Sequence, residues 1–172
     1  LLGNYYGGML DVYTDLTAHA ATFGCHFEVV EMCELHNLWA AVSGAEIEAK
    51  RKQFASTFAV SPECDPGELD RAARTSCALD AMVRNRGLGA LAYYYEGTKG
   101  NEYENIVTSM IPGNTLLTGG HVPVAGEYEV KNVQAMKIMD LFGAGGSFSE
   151  FYLADFTDDV LYLGHDGPAH LS

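Results

Sequence analysis

The sequence predicts an α/β fold, a parallel sheet with flanking helices, that gives way to strands alone after about Gly143. Three observations carry this. Leu1-Leu2, a Gly-rich turn, a helical stretch and a β-rich run at His26–Glu31 read as a βαβ unit, whose two strands must be parallel. Ala90-Leu91-Ala92-Tyr93-Tyr94-Tyr95 is apolar without alternation, as in a strand covered by helices on both faces. Beyond Gly143-Ala144-Gly145-Gly146 the pattern changes to two strand-like runs at hairpin spacing.

The elements follow in order. Met9, Val12, Tyr13, Leu16, Ala20 and Phe23 recur at helical spacing, and Gly24 is a good terminator. The turn Gly3–Gly8 matches neither the dinucleotide fingerprint nor the phosphate-loop pattern. Leu35–Val42 is ambiguous. Ala45–Phe58 is helical by composition, with Glu46/Lys50 and Glu48/Lys52 at the stabilising spacing. Asp65-Pro66-Gly67-Glu68 is a strong helix start, and that helix runs to about Asn85, with Leu69, Ala73, Leu79 and Met82 inward. Gly89–Glu96 is the buried strand. Asn101–Met110 reads as a short helix and Ile111–Pro123 as a loop. A helix is expected from about Glu127 to Phe142. Ser147–Phe156 and Val160–Leu163 are strands joined by Thr157-Asp158-Asp159. The domain boundary is placed at the glycine break: residues 1–143 form an α/β domain and 144–172 the start of a β domain.

Composition narrows the function. At 172 residues the chain suffices for one ordinary domain. A net charge of −13 argues against nucleic acid and anionic membranes, which require clustered Lys and Arg. No apolar run is long enough to span a bilayer. Cys25, Cys33, Cys64 and Cys77 form no C-x-x-C pair, so reduced thiols in a cytoplasmic protein are expected. Leu1-Leu2-Gly3 reads as the end of a buried strand, and Ser172 follows a turn directly; a segment of a longer chain is expected.

The chemistry-bearing residues are Glu127, Glu150 and His165. Two carboxylates and an imidazole on three elements are the parts of a divalent-metal site with open positions. Alternation sets Phe148, Glu150 and Tyr152 on one strand face, so the Glu150 carboxylate lies between aromatics and needs a partner. Glu129 stands one helical step from Glu127 and is expected to be solvated. Singly, Glu127 reads as a helix-dipole partner and His165 as a structural histidine; the joint pattern lifts them above that.

Ala125-Gly126-Glu127, the helix ending in a Gly break, Ser147-Phe148-x-Glu150-x-Tyr152 and Leu163-Gly164-His165 resemble the L-arabinose isomerase family, within the wider L-fucose/L-arabinose isomerase group. The order and spacing agree along nearly the whole chain. The resemblance implies the family's central α/β domain followed by the start of its antiparallel β-barrel domain. It implies an aldose–ketose isomerase with Glu127 and Glu150 catalytic and metal-binding, His165 metal-binding, and Tyr95 lining the substrate site. A fourth ligand, another histidine, would lie further along the barrel. Tyr95 stands where Phe is usual, and Asp166-Gly167 follow the histidine where an apolar residue is common. A divalent metal, Mn2+ first, a small sugar and a homo-oligomer are implied. The alternatives are an L-fucose-type isomerase of 6-deoxy sugars, a non-catalytic sugar-binding domain, and a structural segment with no site.

Overall fold

A computed structural model describes residues 1–165 and 167–171; Asp166 and Ser172 lie outside the described residues. Strands β1 (Leu2–Gly3), β2 (Leu91–Tyr94) and β3 (Val124–Ala125) form a parallel sheet in that order, with Leu2 opposite Tyr93 and Ala92 opposite Ala125. A single parallel bridge, Leu2 to Val30, is all that pairs the expected His26–Glu31 strand. There Val30 N–H donates to the Leu1 carbonyl (2.7 Å) and Gly3 N–H to the Val30 carbonyl (3.2 Å), while Val29 points to solvent. β propensity alone does not extend a strand that packs on one side only.

The helices are α1 (Leu16–Phe23), α2 (Met32–Ala41), α3 (Gly44–Thr57), α4 (Pro66–Arg86), α5 (Glu102–Val107), α6 (Ile111–Gly119) and α7 (Val130–Leu141). Alternation along β2 separates two cores. Leu91 and Tyr93 join Leu35, Leu79, Met82, Ile106, Met110 and Leu117 on the side of α2, α4, α5 and α6. Ala92 joins Ala125, Tyr128, Val130, Val133, Met136 and Phe148 on the side of α7. Tyr94 packs at the margin of that second core and Tyr95 at the margin of the first. So successive tyrosines of one run face opposite ways.

The helix starts are chemical. Asp65 accepts from Gly67 N–H (2.7 Å) and Glu68 N–H (3.2 Å), Pro66 needs no donor partner, and Gly87 closes α4 in the left-handed region. Ser43 and Glu46 form a reciprocal capping box on α3. Lys50 reaches Asp80 on α4 at 2.6 Å instead of Glu46, because α3 and α4 pack together; Glu48 keeps Lys52 at 3.6 Å. The expected first helix is broken at Tyr13-Thr14-Asp15, where Asp15 caps α1 through Ala18 N–H. The expected Ile111–Pro123 loop is instead α6 followed by β3. Tertiary packing overrides its Gly and Thr content: Gly113 lies against Ser76 of α4, where even a β-carbon would come to 3.0 Å.

After the turn of glycines, β4 (Glu150–Asp155) and β5 (Val160–Gly164) form an antiparallel hairpin, with a register shift between Phe151 and Leu153. Its apolar side chains Phe151, Tyr152, Leu153, Leu161, Tyr162 and Leu163 are exposed on both faces. The α/β part with its parallel sheet and the small antiparallel sheet are as expected; no closed barrel is formed among the described residues. No helix among them is long and apolar enough to cross a membrane.

The first core depends on α4, whose Leu79 is fully buried beneath the sheet. Leu79→Ala is expected to cost about 2–5 kcal/mol, read as a lower urea midpoint. A loss below about 1 kcal/mol would show that this helix does not anchor the core.

Candidate functional site

The carboxyl ends of parallel strands are where open α/β sheets place their ligands. Here the turn after β3 approaches the hairpin at that edge, Gly126 lying against His165. The turn after β3 is the first component. Glu129 N–H donates to the Gly126 carbonyl (2.9 Å), and the two central residues, Glu127 and Tyr128, both have positive φ, 57° and 62°. Two successive left-handed non-glycine residues cost roughly 1–3 kcal/mol each, and such strain concentrates at functional sites. Tyr128 N–H donates to the Tyr93 carbonyl at 3.0 Å, which clamps the turn to β2. The Tyr128 ring is buried and meets Tyr5 edge-on at 4.6 Å.

Glu127 therefore does not open a helix. The helix begins at Val130, and its cap is Glu129, whose Oε1 accepts from Lys131 N–H at 3.0 Å. Glu129 is buried, with Lys131 Nζ 3.7 Å from its other oxygen, and is not the solvated residue expected. Cap geometry explains the exchange: the residue whose carboxylate reaches back to the first free N–H starts the helix. The neighbouring Glu127 is not the cap of this helix.

The hairpin supplies the second component. Glu150 starts β4 opposite Gly164 of β5, and His165 follows directly. His165 Nδ1 and Glu150 Oε2 lie 3.5 Å apart; the imidazole is 7% exposed and the carboxylate 38%. The Phe148 ring covers the imidazole at 4.1 Å between centroids. Phe148 is buried in the same core as Ala92, Ala125 and Tyr128, so it pins the hairpin to the sheet. Gly126 approaches from the other side: a β-carbon there would stand 3.7 Å from His165 Nε2. Tyr152 lies over Gly164, on the Glu150 side, as alternation requires.

The third component is the end of β2. The half-buried Tyr94 donates its phenol to Glu96 Oε2 at 3.0 Å, and its ring lies 5.0 Å from that of Tyr6. Burial, then the Glu96 hydrogen bond, and further the Glu96, Tyr6 and Glu127 charges push this phenol up to about 12, so it stays a neutral donor. Tyr95 faces the other side. Its phenol donates to Asn101 Oδ1 at 3.3 Å and its ring meets Tyr103 edge-on, beside a separate cleft of ≈ 270 Å³. The feature missed from sequence is Tyr94; the signal was the alternation within Tyr93-Tyr94-Tyr95.

Glu150 and His165 are brought together, and the Glu127 turn stands against them through Gly126. Mixed oxygen and nitrogen donors suit an ion such as Mn2+. Glu150 and His165 offer one oxygen and one nitrogen donor; among the described residues no three His, Cys, Asp or Glu side chains converge closely enough to hold a metal ion. A larger cleft of ≈ 660 Å³ lies elsewhere, along α2 and α4, where Arg86 pairs with Glu28 and Glu34.

No family model matches this sequence, and no curated protein matches it significantly. The site must be read from its own chemistry.

The two neighbouring glutamates should separate in a stability measurement. Glu129→Ala removes a cap and is expected to cost about 1 kcal/mol. Glu127→Gly relieves a left-handed residue and should leave stability unchanged or raise it by about 0.5–1 kcal/mol. A lower melting temperature for Glu127→Gly would show that Glu127 serves the fold.

Proposed function

We propose that this chain carries the active-site residues of an aldose–ketose isomerase of the L-arabinose isomerase type, a metal-dependent intramolecular oxidoreductase. The observation that carries the reading is the Glu150–His165 pair, 3.5 Å apart, seated against the strained Gly126–Glu129 turn at the carboxyl edge of the parallel sheet. The resemblance of the motifs around Glu127, Glu150 and His165 gives it a reaction.

Isomerisation moves a proton between adjacent carbons of an open-chain sugar, through an enediolate. It needs one group to take the proton and one to return it. Glu127 and Glu150 are assigned these roles; they sit on two separate elements, the turn after β3 and the hairpin, which approach each other where a β-carbon on Gly126 would stand 3.7 Å from His165 Nε2. His165 orients the Glu150 carboxylate through Nδ1, and Phe148 covers the imidazole and excludes water from that side. A bound divalent ion, Mn2+ in this reading, would supply Lewis acidity toward the sugar oxygens. In this reading Glu150 and His165 would hold it, with Glu127 the third donor that the resemblance implies.

The same reading makes residues 1–143 the central domain and 144–172 the start of a β-barrel domain. The hairpin supports this: an isolated two-stranded sheet is marginal in water, and apolar side chains on both faces need cover. A homo-oligomer in the cytoplasm, acting on L-arabinose or on an L-fucose-type 6-deoxy sugar, completes it. The two-donor geometry favours one other reading, a sugar-binding domain whose carboxylates accept sugar hydroxyls without metal.

Assayed with L-arabinose, D-galactose and L-fucose, the intact protein that carries this segment is expected to form ketose with Mn2+, lose this after EDTA and regain it on Mn2+ addition. Sugar binding that survives chelation, without turnover under any condition, would favour the binding domain instead. Glu127→Gln and Glu150→Gln should each lower turnover by about 10²–10⁴-fold with an unchanged melting temperature. Wild-type rates in either variant would remove that residue from the mechanism.

A further inference from the structure

Tyr94 has a hydroxyl that no core contact requires; its hydrogen-bond partner is the exposed Glu96. Its ring packs on Tyr6 and at the margin of the second core, work that a phenylalanine would do equally well. The phenol instead reaches the exposed Glu96 two residues on, at 3.0 Å. That bond fixes the ring and commits the phenol proton, leaving acceptor capacity on the oxygen. The position is the carboxyl end of the central strand, which β1 and β3 flank.

The neighbourhood ties this residue to the candidate site. The Tyr128 N–H bond to the Tyr93 carbonyl sets the Glu127 turn directly beside the Tyr93–Tyr94 backbone. The Asn4 N–H bond to the Tyr94 carbonyl at 2.9 Å brings the segment with Tyr5 and Tyr6 to the other side. Gly3 is required for that approach: its φ is 87°, and a β-carbon would stand 2.0 Å from the Tyr94 oxygen. Phe148, which covers His165, packs in the same core that Tyr94 borders. Tyr6, Tyr94 and Glu96 thus make an aromatic wall with a carboxylate beside the Glu127 turn. Sugars present C–H faces that lie on aromatic rings and hydroxyls that such polar tips bind.

We infer that Tyr94, fixed by Glu96 and backed by Tyr6, is a substrate-binding residue of the proposed isomerase, accepting a sugar hydroxyl on its phenol oxygen. The inference rests on the isomerase reading. It gives Tyr94 the contact with substrate and leaves Tyr95, turned toward Asn101 and Tyr103, on the other side of the strand.

The test is the steady-state kinetics of the intact protein with Mn2+ and the aldose turned over best, together with melting temperatures. Tyr94→Phe should raise KM about tenfold, with kcat within about twofold and an unchanged melting temperature. Glu96→Ala should raise KM by a smaller factor, and the double variant should be no worse than Tyr94→Phe alone, since both act through one phenol. Tyr95→Phe should leave KM unchanged. A Tyr94→Phe variant with wild-type KM would overturn the inference while the isomerase stands, as would a KM increase in Tyr95→Phe equal to that in Tyr94→Phe. An intact wild-type protein that turns over no aldose would instead overturn the isomerase reading, and this inference with it.

Discussion

One backbone hydrogen bond organises the candidate site: Tyr128 N–H to the Tyr93 carbonyl, 3.0 Å. It holds the chain against β2 up to the third residue after β3 has ended. Without it, the segment from Gly126 onward would be free to enter α7 in right-handed geometry. With it, Glu127 and Tyr128 are both left-handed and the helix must wait for a cap three residues past Gly126. The strain is compensated locally by the burial of Tyr128 against Tyr5 and of Val130 and Val133 against the sheet. The result is a carboxylate presented at the sheet edge with its backbone position fixed from both sides.

Three glutamates near this edge show how placement decides role. Glu129 is consumed by the helix: one oxygen caps Lys131 N–H and the other faces the Lys131 ammonium. Glu96 is used as a brace for the Tyr94 phenol. Glu150 is at the root of a hairpin, half-exposed beside a buried imidazole that Phe148 covers. The last arrangement couples a carboxylate to an imidazole in a partly dry setting, a pairing suited to proton transfer. Phe148 matters twice, because the side chain that shields His165 is also the one that joins the hairpin to the α/β core.

Much of the fold could be read from residues because its signals are local. Asp65, Pro66, Glu68 and Gly87 delimit α4 to within a residue, and the apolar runs around Tyr93 and Leu161 find their strands. What escaped the sequence is set by distant contacts. α6 forms although it contains Pro112, Gly113 and two threonines, since α4 receives its small residues. The helix boundary at Glu129 shifted because two glutamates of equal propensity compete for the cap, and a bond to β2 decides between them. In the site, Glu150 and His165 were legible as a pair on neighbouring strands. Tyr94 was not, because a run of three tyrosines hides which one faces the Glu127 turn until the sheet has neighbours.

The hairpin's double apolar face and the paired Glu150 and His165 are two aspects of one design: a β element held to the sheet by Phe148 and presenting its polar root to the Glu127 turn. The proposed function assigns to that arrangement proton transfer between two carboxylates. The decisive measurement is therefore isotopic. Ketose formed from unlabelled aldose in D2O, analysed by proton NMR, should carry solvent deuterium on the carbon that receives the proton. Product free of deuterium at every extent of conversion would contradict a carboxylate-borne enediolate mechanism.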